Sequence, residues 1–244
     1  MHSSTANIDA TCEIGEYCVI ENNVTIGKGC VIGHHVVIRE GTCIADNVRI
    51  DDFACVGKKQ MKAANSAVTT EKELPAAQIG NNTIIGTHSV IYRGCEIGKG
   101  CLIADFACIR EEVTIGEKTI IGKGATIENQ TSVGSYVKIQ TNAYITAYSK
   151  IEDNCFIAPC VVTSNDNYAG RSQERFSHFK GVTVKKGGRI GAGSVILPGK
   201  VIHEDGFVAA GSVVTKDVDS ETIVAGVPSK TFGKVSENQL LKNQ

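Results

Sequence analysis

Isoleucine or valine recurs at every sixth position along most of the chain. One series runs from Ile8 through Ile14 and Ile20 to Val56 with nine anchors. A second runs from Ile79 to Ile157 with fourteen, and a third from Val184 to Val214 with six. The residue two before each anchor is usually small or aliphatic, as at Cys18, Ala125 and Val137, so two residues in every six face the same way. A period of six does not fit a helix of about 3.6 residues per turn, but it is a multiple of the strand period of two. Glycine often follows the anchor, as at Gly15, Gly27, Gly80, Gly98 and Gly116, where a tight corner is expected to use positive φ. Short strands with a corner every six residues predict a flat-sided coil filled by stacked aliphatics. Each coil then buries its apolar residues only against the coils above and below, so many coils are required.

The beat breaks twice. Val56 and Ile79 are 23 residues apart, and Thr163, the next place after Ile157, is 21 residues from Val184. Two loops therefore leave the coil, at about 57–78 and about 164–183.

On these features the sequence resembles the hexapeptide-repeat acyltransferases, over about residues 8–218. The resemblance implies an all-β fold, a left-handed parallel β-helix in which three hexapeptides make one triangular coil. It also implies a homotrimer, with coenzyme A in grooves between neighbouring subunits. Residues 1–218 are expected to form the helix domain with its two loops. Residues 219–244 form a C-terminal extension, in which SENQLLKNQ is expected to fold back as a short helix. With three hexapeptides per coil, both loops leave from the same corner, five coils and roughly 24 Å apart at about 4.8 Å per strand layer. A column of His35, Phe53, His88, Phe106, Gly124, Asn142 and Cys160 is expected just before that corner. Loops, His88 and Asn142 would then outline one groove.

The stretch from Lys138 to Arg171, with KIQTNAYI followed by IEDNCFIAPCVVTSNDNYAGR, resembles the nucleotide-sugar N-acyltransferase branch. It departs from that branch at Thr141, Ser164 and Ala169-Gly170. The resemblance implies an acyl-CoA-dependent enzyme acting on the amino group of a nucleotide-linked amino-deoxysugar. An unprotonated amine attacks a thioester readily, so alignment and donors to the developing oxyanion can suffice. Asn142 matches the branch's asparagine near the reacting atoms. Asp166 is a candidate either to accept the ammonium proton or to hold a pantetheine amide, and Asn165 and Arg171 are candidate donor contacts in the same loop. Arg171 and Arg175 have the planar cation that suits a phosphate. The C-terminal segments IGAGS, VAAGS and AGVPSK resemble the coenzyme A motifs of the wider family. They assign Ala192, Gly193, Ser194, Ala210 and Gly211 to pantetheine, and Lys216 and Lys230 to the phosphates.

A hydroxyl acceptor would need a general base, and His88 and His178 are the candidates for that alternative, a sugar or small-molecule O-acetyltransferase. A third reading is a solenoid that only assembles or binds, using Lys58, Lys59 and Lys62 of the first loop. Zinc is not expected: His35 and His88 share a column but lie two coils apart, roughly 10 Å, too far for one ion.

Composition narrows the classes further. The net charge is -1, with 25 Lys and Arg against 26 Asp and Glu, so no basic stripe points to nucleic acid. No run of about 18 apolar residues is present, which argues against a membrane span. The first residues lack a basic and apolar leader pattern, and a cytoplasmic protein is expected. There are ten cysteines and no CxxC pair. Cys12, Cys18, Cys30, Cys95, Cys101 and Cys155 each stand two before an isoleucine, so they read as small buried hydrophobes of the repeat.

Overall fold

The computed structural model describes residues 2–244. The chain winds as a parallel β-solenoid of about 12 turns, a left-handed β-helix. Three parallel sheets form the faces of a prism. Face 1 has ten strands, from Asn7–Ile8 to Val201–Ile202, and face 3 has ten, from Val19–Ile20 to Val213–Val214. Face 2 has twelve, starting at Glu13–Ile14 and including the C-terminal hairpin. Up to Val214 each strand pairs with the one three strands later, so that anchors meet anchors, as in Ile121↔Ile139 and Ile139↔Ile157.

The aliphatic beat is the core. From Ile20 onward the anchors are buried, while Ile8 and Ile14 at the open end are only partly so. Fully burying one such side chain is worth about 1.5–3 kcal/mol. Thr163 takes an anchor's place just before the second loop, and its buried hydroxyl donates to the Tyr144 carbonyl at 3.2 Å. All ten cysteines are free. The thiols of Cys18, Cys30, Cys95, Cys101 and Cys155 donate to carbonyls of the next coil at 2.9–3.1 Å. Burial pushes Cys95 and Cys155 up to about 12, which keeps them as thiols.

The glycines after the anchors serve a different need from the expected one. A Cβ on Gly80 would lie 2.7 Å from the backbone carbon of Gly98, and one on Gly116 would lie 2.6 Å from that of Gly134. Adjacent coils approach too closely there for any side chain. Positive φ falls instead on the second corner residue, as at Gly29 (63°), His88 (58°) and Asn142 (57°).

Both loops follow strands of face 3. The first leaves after Cys55–Lys58 and the second after Val162–Thr163, five strands further along the same sheet. They therefore share the edge between faces 3 and 1, as the spacing predicts. Past Val214 the chain forms an antiparallel hairpin, Thr222–Ala225 with Lys230–Lys234, which extends face 2. The expected terminal helix is reduced to two 3-10 turns, Glu237–Gln239 and Leu241–Asn243, separated by the buried Leu240. Among the described residues no helix is long and apolar enough to cross a membrane.

Close coil approach sets a testable contrast. Gly80→Ala is expected to cost about 1–3 kcal/mol, the range for overpacking. Gly233→Ala, where a Cβ meets nothing within 4 Å, should change stability by less than about 0.5 kcal/mol. Chemical denaturation of the two variants measures the difference.

Candidate functional site

The edge between faces 2 and 3 carries the column singled out in the sequence. In its first half five rings stack: Tyr17, His35, Phe53, His88 and Phe106. Their centroids are 4.8–5.1 Å apart and their planes within 23° of parallel. This spacing is that of the strand layers themselves, so ring contact offsets the strain of positive φ at non-glycine residues. His88 is held between Phe53 and Phe106. It lies three coils from Asn142, roughly 14 Å by layer spacing, and the structure does not bring it to the other candidates.

The second half of the same edge is different. Asn142, Cys160, Gly193 and Gly211 follow one another on successive coils, joined by bonds such as Gly193 N–H to the Pro159 carbonyl (3.0 Å) and Gly211 N–H to the Ala192 carbonyl (2.9 Å). Ala192, Gly193, Ala210 and Gly211 are exposed. A Cβ on Gly193 or Gly211 would meet nothing within 4 Å, so the backbone there is bare and open to a ligand. Ser194 faces inward instead. Its hydroxyl donates to the Ala209 carbonyl (3.0 Å) and accepts from the Ser212 N–H (3.3 Å), which makes it a strut of the edge. Asn142 leans over Gly124, its Oδ1 2.5 Å from where a Cβ there would stand.

The loops are not on this edge. A corner precedes each face-3 strand and the loops follow it, so His88 and Asn142 lie across face 3 from both loop roots. The expected single groove is thereby corrected to a face bounded by two edges.

The second loop is held from within. Asp166 accepts the N–H of Tyr168 (2.8 Å) and of Gly170 (3.0 Å), and Arg175 Nε donates to it at 2.9 Å. Burial pushes its carboxyl up, but these bonds and the guanidinium outweigh burial and hold it below the usual carboxylate range. Arg175 also lies over the rings of Phe176 and Phe179. Both groups are thus engaged in shaping the loop. Asn165 contributes its carbonyl to the Lys180 N–H (3.1 Å), and Arg171 has an exposed side chain. His178 follows the 3-10 turn Glu174–Ser177, with its Nε2 3.4 Å from Glu174 Oε1 and its ring 5.8 Å from that of Tyr168.

The first loop is strapped along the edge towards the second. Arg93 donates to the Leu74 carbonyl, Lys72 pairs with Glu112 at 2.6 Å, and Asn129 Nδ2 donates to the Val68 carbonyl at 3.1 Å. Arg110 makes a two-bond pair with buried Glu111 (2.9 and 3.0 Å), reaches Glu128 at 3.3 Å and Thr69 at 3.3 Å, and lies over the Tyr92 ring. Burial pushes the Glu128 carboxyl up against the pull of Arg110. Sequence reasoning missed this cluster. Its signal was available: Arg110 and Glu128 directly follow anchors, a place that is often glycine on the other two edges.

Lys216 and Lys230 line one cleft of about 350 Å³ with Asp217, Val224 and Pro228. A groove of about 710 Å³ runs along face 1 past Thr25, Gln78 and Glu96, away from every predicted site residue.

Known proteins fit this architecture. The model "Bacterial transferase hexapeptide (six repeats)" matches residues 5–40, and that of the GMPPB C-terminal domain matches residues 73–174. The chain thus shares the hexapeptide repeat over residues 5–40, and it winds as a β-helix. Among curated proteins it is 44% identical over 59 residues to dTDP-3-amino-3,6-dideoxy-alpha-D-galactopyranose 3-N-acetyltransferase of Aneurinibacillus thermoaerophilus, 24% of this chain and 31% of that one. It is 46% identical over 55 residues to 2,3,4,5-tetrahydropyridine-2,6-dicarboxylate N-acetyltransferase of Staphylococcus aureus (strain bovine RF122 / ET3-1), 22% of this chain and 23% of that one. The matches thus span a quarter to a third of these relatives. Among solved structures, the Arabidopsis UDP-N-acetylglucosamine acyltransferase covers 96% of this chain and 74% of its own, with a TM-score of 0.54 at 19% identity. That likeness is one of fold.

Asp166 gives the second loop a pH dependence of known sign. A carboxyl held below its ordinary value stabilises the loop above that value, and the contribution is lost progressively as pH falls from there through the lowered value. Hydrogen exchange across residues 166–179, corrected for intrinsic rates, should lose protection as pH drops below about 4. Asp166→Asn should show the reduced protection already at neutral pH.

Proposed function

We propose that the protein is an acyl-CoA-dependent N-acyltransferase that modifies the amino group of a nucleotide-linked amino-deoxysugar, working as a cytoplasmic homotrimer. The observation that carries this reading is the bare backbone edge at Ala192-Gly193 and Ala210-Gly211, in line with Asn142. That edge offers a pantetheine chain backbone groups at close range, and Lys216 and Lys230 converge to offer cations for its phosphates. The two N-acetyltransferases named above support transfer to nitrogen, and one of them is named for a dTDP-linked amino sugar.

In the reaction the amine attacks the thioester carbonyl. A C–N bond forms, the C–S bond breaks, the thiol leaves as coenzyme A, and the nitrogen gives up a proton. Asn142 is assigned to orient the amine or to donate to the carbonyl oxygen as charge develops there. Asp166 is engaged with Arg175 and two backbone N–H groups, so its assigned role is to shape the second loop, which carries Asn165 and Arg171 towards the acyl donor. Self-association is supported by the outward residues flanking the edge: Val19, Val90, Tyr144 and Val162 on face 3, and Val31, Ile84 and Phe156 on face 2. Face 1 is polar by contrast.

A second reading, O-acetylation, is favoured by one contact. Glu174 beside His178 is the arrangement that orients a histidine base.

Thiol release from several acyl-CoAs against a panel of nucleotide-linked amino sugars tests the reading. Turnover with an amino sugar supports it, and release only with hydroxyl acceptors overturns it. Asn142→Ala should lower kcat by about 10²-fold, as expected for loss of an oxyanion donor. Lys216→Ala and Lys230→Ala should chiefly raise the KM for acyl-CoA. His88→Ala and His178→Ala should each cost less than about tenfold, whereas a fall of about 10²-fold or more would establish base catalysis.

A further inference from the structure

Face 2 carries a cation whose hydrogen bonds are incomplete. Arg189 is the outward residue of the strand Arg189–Ile190, in register between Phe156 and Phe207. Its guanidinium lies over the Phe207 ring at 5.0 Å, and Nη1 donates to Gln239 Oε1 at 3.2 Å. Nε and Nη2 are buried and have no hydrogen-bond partner among the described residues. Those two atoms form one edge of the guanidinium plane, the edge that grips both oxygens of an oxyanion. A buried N–H without a partner is costly to keep, and here two stand side by side.

The C-terminal segment lies against this place. Leu240 is buried, and the Leu241 N–H donates to both oxygens of Asp205 at 3.2 Å. The Phe207 ring lies against the guanidinium and Gln239 holds its third nitrogen, while the remaining two N–H groups are parallel by the planar geometry of the group. We propose that Arg189 binds a phosphate group through Nε and Nη2, which residues 236–244, the strap beside it, admit by moving aside. The proposal holds whether or not the acyl-transfer reading does. The phosphate can be inorganic, or the 3′-phosphate or diphosphate of a coenzyme A.

Calorimetric titration of the full chain with inorganic phosphate, coenzyme A and dephospho-coenzyme A tests this. Arg189→Lys keeps the charge and loses the fork, and it should weaken binding of at least one probe tenfold or more with thermal unfolding of the free protein unchanged. Arg189→Ala should do at least the same. An effect on coenzyme A that vanishes with dephospho-coenzyme A supports the 3′-phosphate as the group held. One that persists with dephospho-coenzyme A supports the diphosphate, and one seen with inorganic phosphate supports the free ion. Equal affinities of wild type and Arg189→Lys for all three probes, or no binding to wild type at millimolar concentrations, overturns the proposal. So does a change in oligomeric mass without a change in affinity, which would give the fork to a second copy of the chain.

Discussion

The spacing between hydrogen-bonded coils governs this molecule. A backbone ladder fixes neighbouring coils at about 4.8 Å, and every residue in equal register is forced onto the residue above it. Isoleucine on isoleucine fills the interior, and ring on ring forms the ladder from Tyr17 to Phe106 at the same distance. Corner aspartates exploit it too: Asp52 accepts the N–H of His34 at 2.7 Å, one coil away, and Asp105 accepts that of Thr87 at 3.0 Å. No coil is complete alone, since its amides, its anchors and its corners all find their partners in the next.

That constraint explains what the sequence makes legible. A register of six and three faces place every anchor inward, so the core from Ile20 to Val214 is readable residue by residue. The common exit edge of the loops follows from counting alone. Position on the perimeter is harder to read. A column one strand before the loop roots lies across a whole face from them, and His88 and Asn142 fall there. The glycines mislead for a related reason: Gly80 and Gly116 are chosen by the backbone of the following coil, which no single hexapeptide displays. The Arg110 cluster is also a contact between distant segments, joining residues 69 and 128 through a loop whose path has no period.

The loops show how an insertion is tolerated by a fold with no slack. Each leaves at a corner, where strand pairing is already interrupted, and each is tied down by side-chain bonds. The first loop uses Arg93, Arg110 and Asn129. The second uses its own Asp166 and Arg175, then closes through the Lys180 N–H on the Asn165 carbonyl. Anchoring of this kind lets a loop hold a shape while the prism beneath it stays regular. It also consumes charged groups that a motif-based reading assigns to ligands.

Where anions bind on such a surface is therefore decided by which cations the fold leaves uncommitted. Arg110 is matched by Glu111 and Glu128, and Arg175 by Asp166, so neither has a fork to offer. Lys216 and Lys230 face a common cleft, and Arg189 keeps two parallel N–H groups without an acceptor. Both places lie in the final coils, close to the stretch of edge where Gly193 and Gly211 leave open backbone on successive coils. The earlier coils present the opposite surface, rings and branched aliphatics, which suits contact with protein. One repeat thus supports two surfaces at opposite ends, because the anchors fix the coil and leave the corner residue free to vary.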